Sequence, residues 1–554
     1  MKRLTNKIIA ALIAPMLAVG CIEEAFPEGS TQIADQVGES EFALGGLVNS
    51  FPVAMMKVDT RDFYSKYGTH VDFGIPAIHL MTDSMLEDIA IMGDNPGYWS
   101  FNFWSRNVGM NDQSWPVGYF WENYYAYIKI ANDVISVIEV SDDMPELNKN
   151  YLGQGYAYRA MCYLDLARMY EPKENDYTDV SKVLGLTVPI VTEKTTAEQL
   201  GNNPRVPREQ MYEFILSDLK MAEEMLANAG NSYTQPTLAA VYAMYAKAYL
   251  EMGYWKEGGD MDAFKKAAEY ARLAITTSGK TPLTEAEWTN PTTGFNSGSA
   301  NNSWIWGLPV SVDLIGNIIC YTAHICCEGQ WGYTTLSNPG IDRNLYEKIN
   351  DKDFRKKSYL SPNPAEWTSG TYRFAGTPAE QADFLNYYAR PYTSLKFRPV
   401  EGNCSEYTTG NPADHCLLRV EELYFIEMEA VAQYDLNKAK TLLNEFMAYR
   451  ITDGSYDCSE VATGVDWFIT EMLTQKRIEF WAEGVLYYDY KRLDKGITRY
   501  YEGSNHPEMW AFNTTGRSPQ WNFVINRGEF QANVGIDEST NNPDPSGLLI
   551  VPTE

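Results

Sequence analysis

Five histidines (His70, His79, His324, His415 and His506) are scattered through this 554-residue chain. None belongs to a His-Glu-x-x-His or to a Cys/His cluster with metal-ligand spacing. No Gly-x-Ser-x-Gly elbow and no phosphate-binding loop occurs, so neither a metal nor a cofactor is expected. Among 73 Asp and Glu, a carboxylate pair for glycosidic-bond cleavage stays open, because such pairs meet only in three dimensions. Asp83, Glu87 and Asp88 are candidates for calcium, although a solvated acidic turn is the commoner meaning. What the chain concentrates is flat rings. Tyr98, Trp99, Phe101, Phe103, Trp104 and Trp115 crowd one Gly- and Pro-broken stretch, and Trp331 with Tyr333 lies in a second. Asn102, Arg106, Asn107, Asp112 and Gln330 place polar groups beside them. Aromatics at 13% of the chain either fill a core or offer apolar faces to a partner, and for any single Trp the core is the more common place.

The elements that must hold these stretches are helices. Trp121, Tyr124, Tyr125, Ile128, Ile135 and Ile138 recur at helical spacing. From near Gly155, Tyr156, Arg159, Ala160, Tyr163, Ala167 and Tyr170 line one side of a second helix. Neither helix can bury its stripe alone, so the pair calls for further helices beside it. Tyr212 to Leu226, Leu238 to Met252 and Met261 to Thr277 supply them, and 39–56 reads as an earlier helix. Helices resume at 417–434, 436–450 and 465–484. The pattern predicts a mainly α fold of tetratricopeptide-like stacked helical hairpins, without the strict repeat signature. Between them, 280–416 loses all periodicity, apart from a short strand at Ser303–Gly307. Its aromatics argue against disorder, so a large irregular, loop-rich region should pack across the helices. Trp121 belongs to the packed helix face, Trp304 and Trp306 to a core strand, and Trp288 fits either role. The expected division is a scaffold at 39–279 and 417–500, a binding region at 280–416 and a tail at 501–554, all in one domain.

The first twenty residues read as an address. A basic start (Lys2, Arg3, Lys7), an apolar run from Ile8 to Val19 and Gly20-Cys21 are too short for a permanent membrane helix. They look like a bacterial lipoprotein signal with Cys21 as the acylated residue, followed by a polar tether at 21–38; an ordinary signal peptide is the alternative. The formal net charge of −28 disfavours nucleic acid and anionic lipid and suits neutral substrates. The cysteines after Cys21 are odd in number and match no zinc spacing, which predicts core thiols with room for one disulfide.

The order of these features resembles the SusD/RagB family. Trp121, Tyr125, Ile128 and Asn132 are similar to its W-x-x-x-Y-x-x-I-x-x-x-N, and Tyr158-Arg159-Ala160 with Tyr163 to its L-R-A-x-x-Y. Val188-Pro189-Ile190-Val191 resembles the family's P-L-V strand, and Tyr212 to Leu219 its Y-x-x-I-x-x-D-L helix. Lys476-Arg477-Ile478-Glu479-Phe480, Glu483-Gly484 and Asp489-Tyr490-Lys491-Arg492 complete the match. The chain departs from the family at Gln475-Lys476-Arg477, where Glu-Arg-Arg is usual, and at Leu486, where Arg is usual. In the family those charges look like structural ion pairs; a solvated helix face is the other reading of Arg477, Glu479, Glu483 and Asp489.

The resemblance implies a surface lipoprotein, anchored in the outer membrane, that binds oligosaccharides without catalysis and caps a SusC-like TonB-dependent transporter. Some members take peptides instead. The chemistry is consistent, since sugar C–H faces stack on Trp and Tyr while hydroxyls bond to amide, carboxylate and guanidinium groups. The expected ligand-binding residues are Trp99, Trp104, Trp115, Trp331, Tyr333, Asn102 and Arg106. A glycoside hydrolase and a helical scaffold for another protein are the competing classes.

Overall fold

The computed structural model describes residues 40–56, 70–93, 110–315, 318–460 and 463–548. In chain order the labelled elements begin with α1 (Glu41–Met56), α2 (Ile75–Ser84), β1 (Ile89–Ile91), α3 (Trp115–Val137) and α4 (Glu146–Tyr170). Next come α5 (Arg208–Met225), α6 (Leu238–Gly253), α7 (Met261–Ser278), β2 (Trp304–Leu308) and β3 (Pro339–Ile341). β4 (His415–Arg419), α8 (Val420–Ala432), α9 (Leu436–Met447), α10 (Val465–Glu479) and α11 (Leu486–Arg492) complete the series. Successive helices pack as hairpins, α3 on α4, α4 on α5, α6 on α7, and α7 on α8, which carries the stack across the irregular region. The mainly α, tetratricopeptide-like architecture is therefore as the periodicity predicts. Among the described residues no helix is long and apolar enough to cross a membrane.

The stripe residues do what their spacing requires. Tyr124, Ile128, Ala160, Tyr163, Ala167 and Tyr170 are buried in one continuous core. Helix α4 approaches its neighbours closely because Gly155 faces α3, where a Cβ would stand 3.1 Å from Val134, and Gly153 faces Leu226. Arg159 is buried on the same face and is fully used. It donates to Asp218 of α5 at 2.7 and 2.8 Å, to Asn132 of α3 at 2.8 Å and to Glu193 at 2.7 Å. One guanidinium thus joins three helices to the extended segment after α4.

Several boundaries differ from the sequence reading. α4 starts nine residues before Gly155, at Glu146, because Leu152 also reaches the core. Leu417 to Arg419 belong to β4, which pairs antiparallel with β2 (Trp304↔Arg419, Leu308↔His415). α10 stops at Glu479: Ala482 and Gly484 take left-handed backbone (φ 59° and 75°) and turn the chain into α11. A Cβ on Gly484 would fall 2.3 Å from His79, so this turn needs its glycine. β1 and β3 pair antiparallel, Ile89 opposite Ile341, a contact that sequence patterning did not show.

The charged C-terminal motif is neither a helix surface nor solvated. Glu479 is fully buried and accepts from Arg450 at 2.7 and 2.8 Å, Arg419 at 2.7 Å and Arg355 at 3.0 Å. Burial alone would raise its carboxyl, but the guanidiniums of Arg450 and Arg419 outweigh it and hold the group well below its ordinary value. Glu483 pairs with Arg419 and Lys396, and Arg492 with Glu429, Glu251 and Asp489. The acidic trio is likewise internal. Asp88 accepts from Arg477, Glu87 from Tyr490 and the Thr498 amide, and Asp83 from the Gly484 amide. Neither a calcium site nor a solvated turn describes Asp83, Glu87 and Asp88; they receive the C-terminal motif. No disulfide forms among the described residues, where Cys162, Cys320, Cys326, Cys327, Cys404, Cys416 and Cys458 are all free thiols.

Candidate functional site

The irregular region between α7 and β4 folds around two small apolar clusters separate from the main core. One gathers Leu360, Tyr372, Phe374, Phe384 and Leu395, with Trp367 and Tyr388 packed at its edge. The other gathers Ile315, Cys320, Ala323 and Tyr333, with Trp331 half-buried beside them. Loops can carry function when a rigid body positions them, and here hydrogen bonds from Gln330 and Trp331 fix the loops to one another. The Gln330 amide donates to the Cys404 carbonyl at 2.9 Å, the Gln330 side chain to the Glu380 carbonyl at 3.1 Å, and the Trp331 indole N–H to the Asn403 carbonyl at 3.4 Å.

Glu380 and Asn403, the acceptors of two of these bonds, line an open cleft of about 460 Å³ together with Thr292, Phe374, Thr377 and Glu401 among others. Two backbone features shape it. Gly376 and Gly402 both have left-handed φ, 79° and 69°. A Cβ on Gly376 would come within 3.0 Å of both the Glu380 carboxylate and the Cys404 sulfur. Thr377 and Glu380 form a capping box at the start of the short helix Pro378–Asp383. The Thr377 amide, donating to Glu380 at 2.7 Å, is the main cause that holds this carboxyl below its ordinary value. The cleft therefore presents hydroxyl, amide and ionised carboxylate groups beside apolar surface.

The expected site residues separate. Trp99, Asn102, Trp104 and Arg106 lie outside the described residues. Trp115 is not a loop residue: it opens α3, half-buried, edge-on to Tyr119 with centroids 6.3 Å apart. Tyr333 is buried at 4% exposure, hydrogen-bonded through its hydroxyl to His70 Nδ1 at 2.5 Å and stacked on His324. Its ring offers no face to solvent, so it supports Trp331 rather than a ligand. Trp331 is half-buried and reaches the cleft only through its indole N–H, which donates to the carbonyl of the lining residue Asn403. Trp121, Trp288, Trp304 and Trp306 are buried. Sequence patterning missed Glu380, Glu401 and Asn403, since nothing local marks a polar loop residue as facing a cleft. It also passed over Tyr387, 68% exposed in the Phe384–Tyr388 turn, and Trp467, 63% exposed on α10.

The histidines do no visible chemistry. His79 Nδ1 and His415 Nε2 lie 3.0 Å apart, and burial lowers His415 far below its ordinary pKa. Burial also takes His324 down to about 3. Among the described residues no group of three His, Cys, Asp or Glu is placed to hold a metal ion.

Fold and cleft together define a class: a stacked helical-hairpin scaffold that carries a loop-built recess. Residues 75–250 match the sequence model of the SusD-like_3 family, described as starch-binding and associating with the outer membrane. SusD-like protein P2 of Formosa agariphila is 24% identical over 76% of this chain and 78% of its own length. A SusD-like carbohydrate binding protein from Bacteroides vulgatus superposes with a TM-score of 0.65 at 18% identity, over 90% of this chain and 97% of that one. Surface glycan-binding protein A from Bacteroides thetaiotaomicron, solved with laminarihexaose, superposes with a TM-score of 0.62 at 18% identity, over 91% and 99% of the two chains. Over residues 75–250 the chain therefore resembles the SusD-like_3 family in sequence, and its fold is that of the SusD-like solved structures.

Proposed function

We propose that this protein captures glycans at the outer surface of an outer membrane and hands them, uncleaved, to a SusC-like TonB-dependent transporter, held in place by a lipid on Cys21. The observation that carries the reading is the open cleft in the loop-built region, lined by Phe374, Thr377, Glu380, Glu401 and Asn403. The Phe374 ring, carboxylates, an amide and hydroxyls around a recess of that size suit a saccharide. The family-model match over residues 75–250 and the laminarihexaose-bound relative support the same class of ligand. Binding without cleavage also fits the cleft's chemistry. A glycosidase needs one carboxylic acid held protonated near neutral pH, and Glu380 is held in the opposite direction.

Affinity electrophoresis through gels containing single polysaccharides tests the capture step. Retardation by at least one, without release of reducing ends, is the expected result; reducing-end release would assign hydrolysis instead. Co-purification of the acylated protein with an outer-membrane barrel tests the handover, and recovery with only a periplasmic partner would oppose it.

A further inference from the structure

The charge of the cleft is one-sided. Its lining includes two carboxylates, Glu380 and Glu401, and no lysine or arginine. Buried Arg398 pairs with Glu328, and exposed Arg373, which is not part of the lining, donates to the Ala286 carbonyl at 3.3 Å. Glu380 is engaged by Thr377 through the capping box. Glu401 differs. It is exposed, its carboxylate has no partner among the described residues, and its backbone is left-handed (φ 55°, ψ 15°), directly before left-handed Gly402. A non-glycine residue held there is disfavoured, and such positions persist where surrounding structure dictates them. The lining also holds a donor. The Asn403 side-chain oxygen accepts from the Ser405 and Glu406 amides at 3.3 and 2.9 Å, which leaves its NH2 for the cleft.

We propose that the cleft accepts neutral saccharide units and turns away sulfated or uronic ones, with Glu401 as the residue that sets the choice. This rests on the cleft being the capture site. Sugar hydroxyls can donate to Glu401 and accept from Asn403, both of which line the cleft. A sulfate ester or a carboxylate has no proton to give and places its negative charge against two others, with no cation in the lining to offset them. The selection is local, apart from the chain's net charge of −28, because at physiological salt distant charges are screened beyond about 8 Å.

The test uses a panel of polysaccharides, each in unmodified and chemically sulfated form, in affinity gels at neutral pH and physiological salt. Wild-type protein should bind the unmodified form of its ligand about tenfold or more tightly than the sulfated form, as like-charge juxtaposition implies. Glu401→Gln, of unchanged melting temperature, should bind the unmodified form more weakly and lose most of the discrimination. Equal binding of both forms by wild type, or full discrimination in Glu401→Gln, would overturn the proposal. If Asn403→Ala, of unchanged melting temperature, then still weakened binding, the capture site would stand and only its charge selection would fall. If no member of the panel retarded the wild type, both readings would fall together.

Discussion

Glu479 and Arg450 share two hydrogen bonds, at 2.7 and 2.8 Å, and neither side chain is exposed to any degree. Arg419 and Arg355 contact the same carboxylate. Removing a single partner from such a group leaves buried charge uncompensated, which typically costs about 3–5 kcal/mol. Glu479→Gln should therefore lower stability by about that amount in urea or thermal denaturation. A loss below 1 kcal/mol would mean the surrounding charges regroup freely.

Arg159 makes a parallel case in the helical half, where it serves Asp218, Asn132 and Glu193 together. Arg159→Lys keeps the charge but not the planar fork. It should destabilise the protein by about 2 kcal/mol, as the loss of charge-assisted bonds implies. A variant as stable as wild type would show that these helices hold together by apolar packing alone.

Acid should weaken the fold through its histidines. His324 is sealed from solvent and burial lowers it from 6.5 to about 3. The unfolded chain therefore takes up a proton that the folded chain refuses. The stability tied to His324 is present above pH 6.5 and is lost progressively as pH falls toward 3. His415 and His506 are shifted in the same direction by burial, whereas burial raises Asp83 and works the other way. His324→Gln should be less stable at pH 7 yet show a shallower decline between pH 6.5 and 4. Identical slopes in the two proteins would refute the assignment.

Trp331 and Tyr333 should part company under mutation. Trp331→Ala is expected to reduce glycan binding with only a small change in melting temperature. Tyr333→Ala removes a buried ring and should cost about 3–5 kcal/mol, the range for aromatic truncation in a core. Equal destabilisation by both would return Trp331 to the core.

The seven cysteines among the described residues are free, so a reducing agent should leave the melting temperature unchanged. Thiol titration of the unfolded acylated protein should find all seven. A shortfall of two would reveal a disulfide.

Helix content, hairpin order and the short strand at Trp304–Leu308 were legible in the sequence because they rest on local period. Each stripe, such as Ile128 with Tyr124 and Tyr163 with Ala167, repeats at the spacing of its own element. The resemblance that carried the family was legible for the same reason, since its motifs are runs of a few residues. The fates of Tyr333, Asp83, Glu87 and Asp88 were not. Solvation depends on what lies opposite, and their partners are remote in the chain: Asp88 meets Arg477, and Tyr333 meets His70. The cleft was hidden for that reason too, because Glu380, Glu401 and Asn403 become neighbours only when separate loops close on two small cores. Period along the chain dictates which face is buried; contact across it decides which polar groups stay free to meet a ligand.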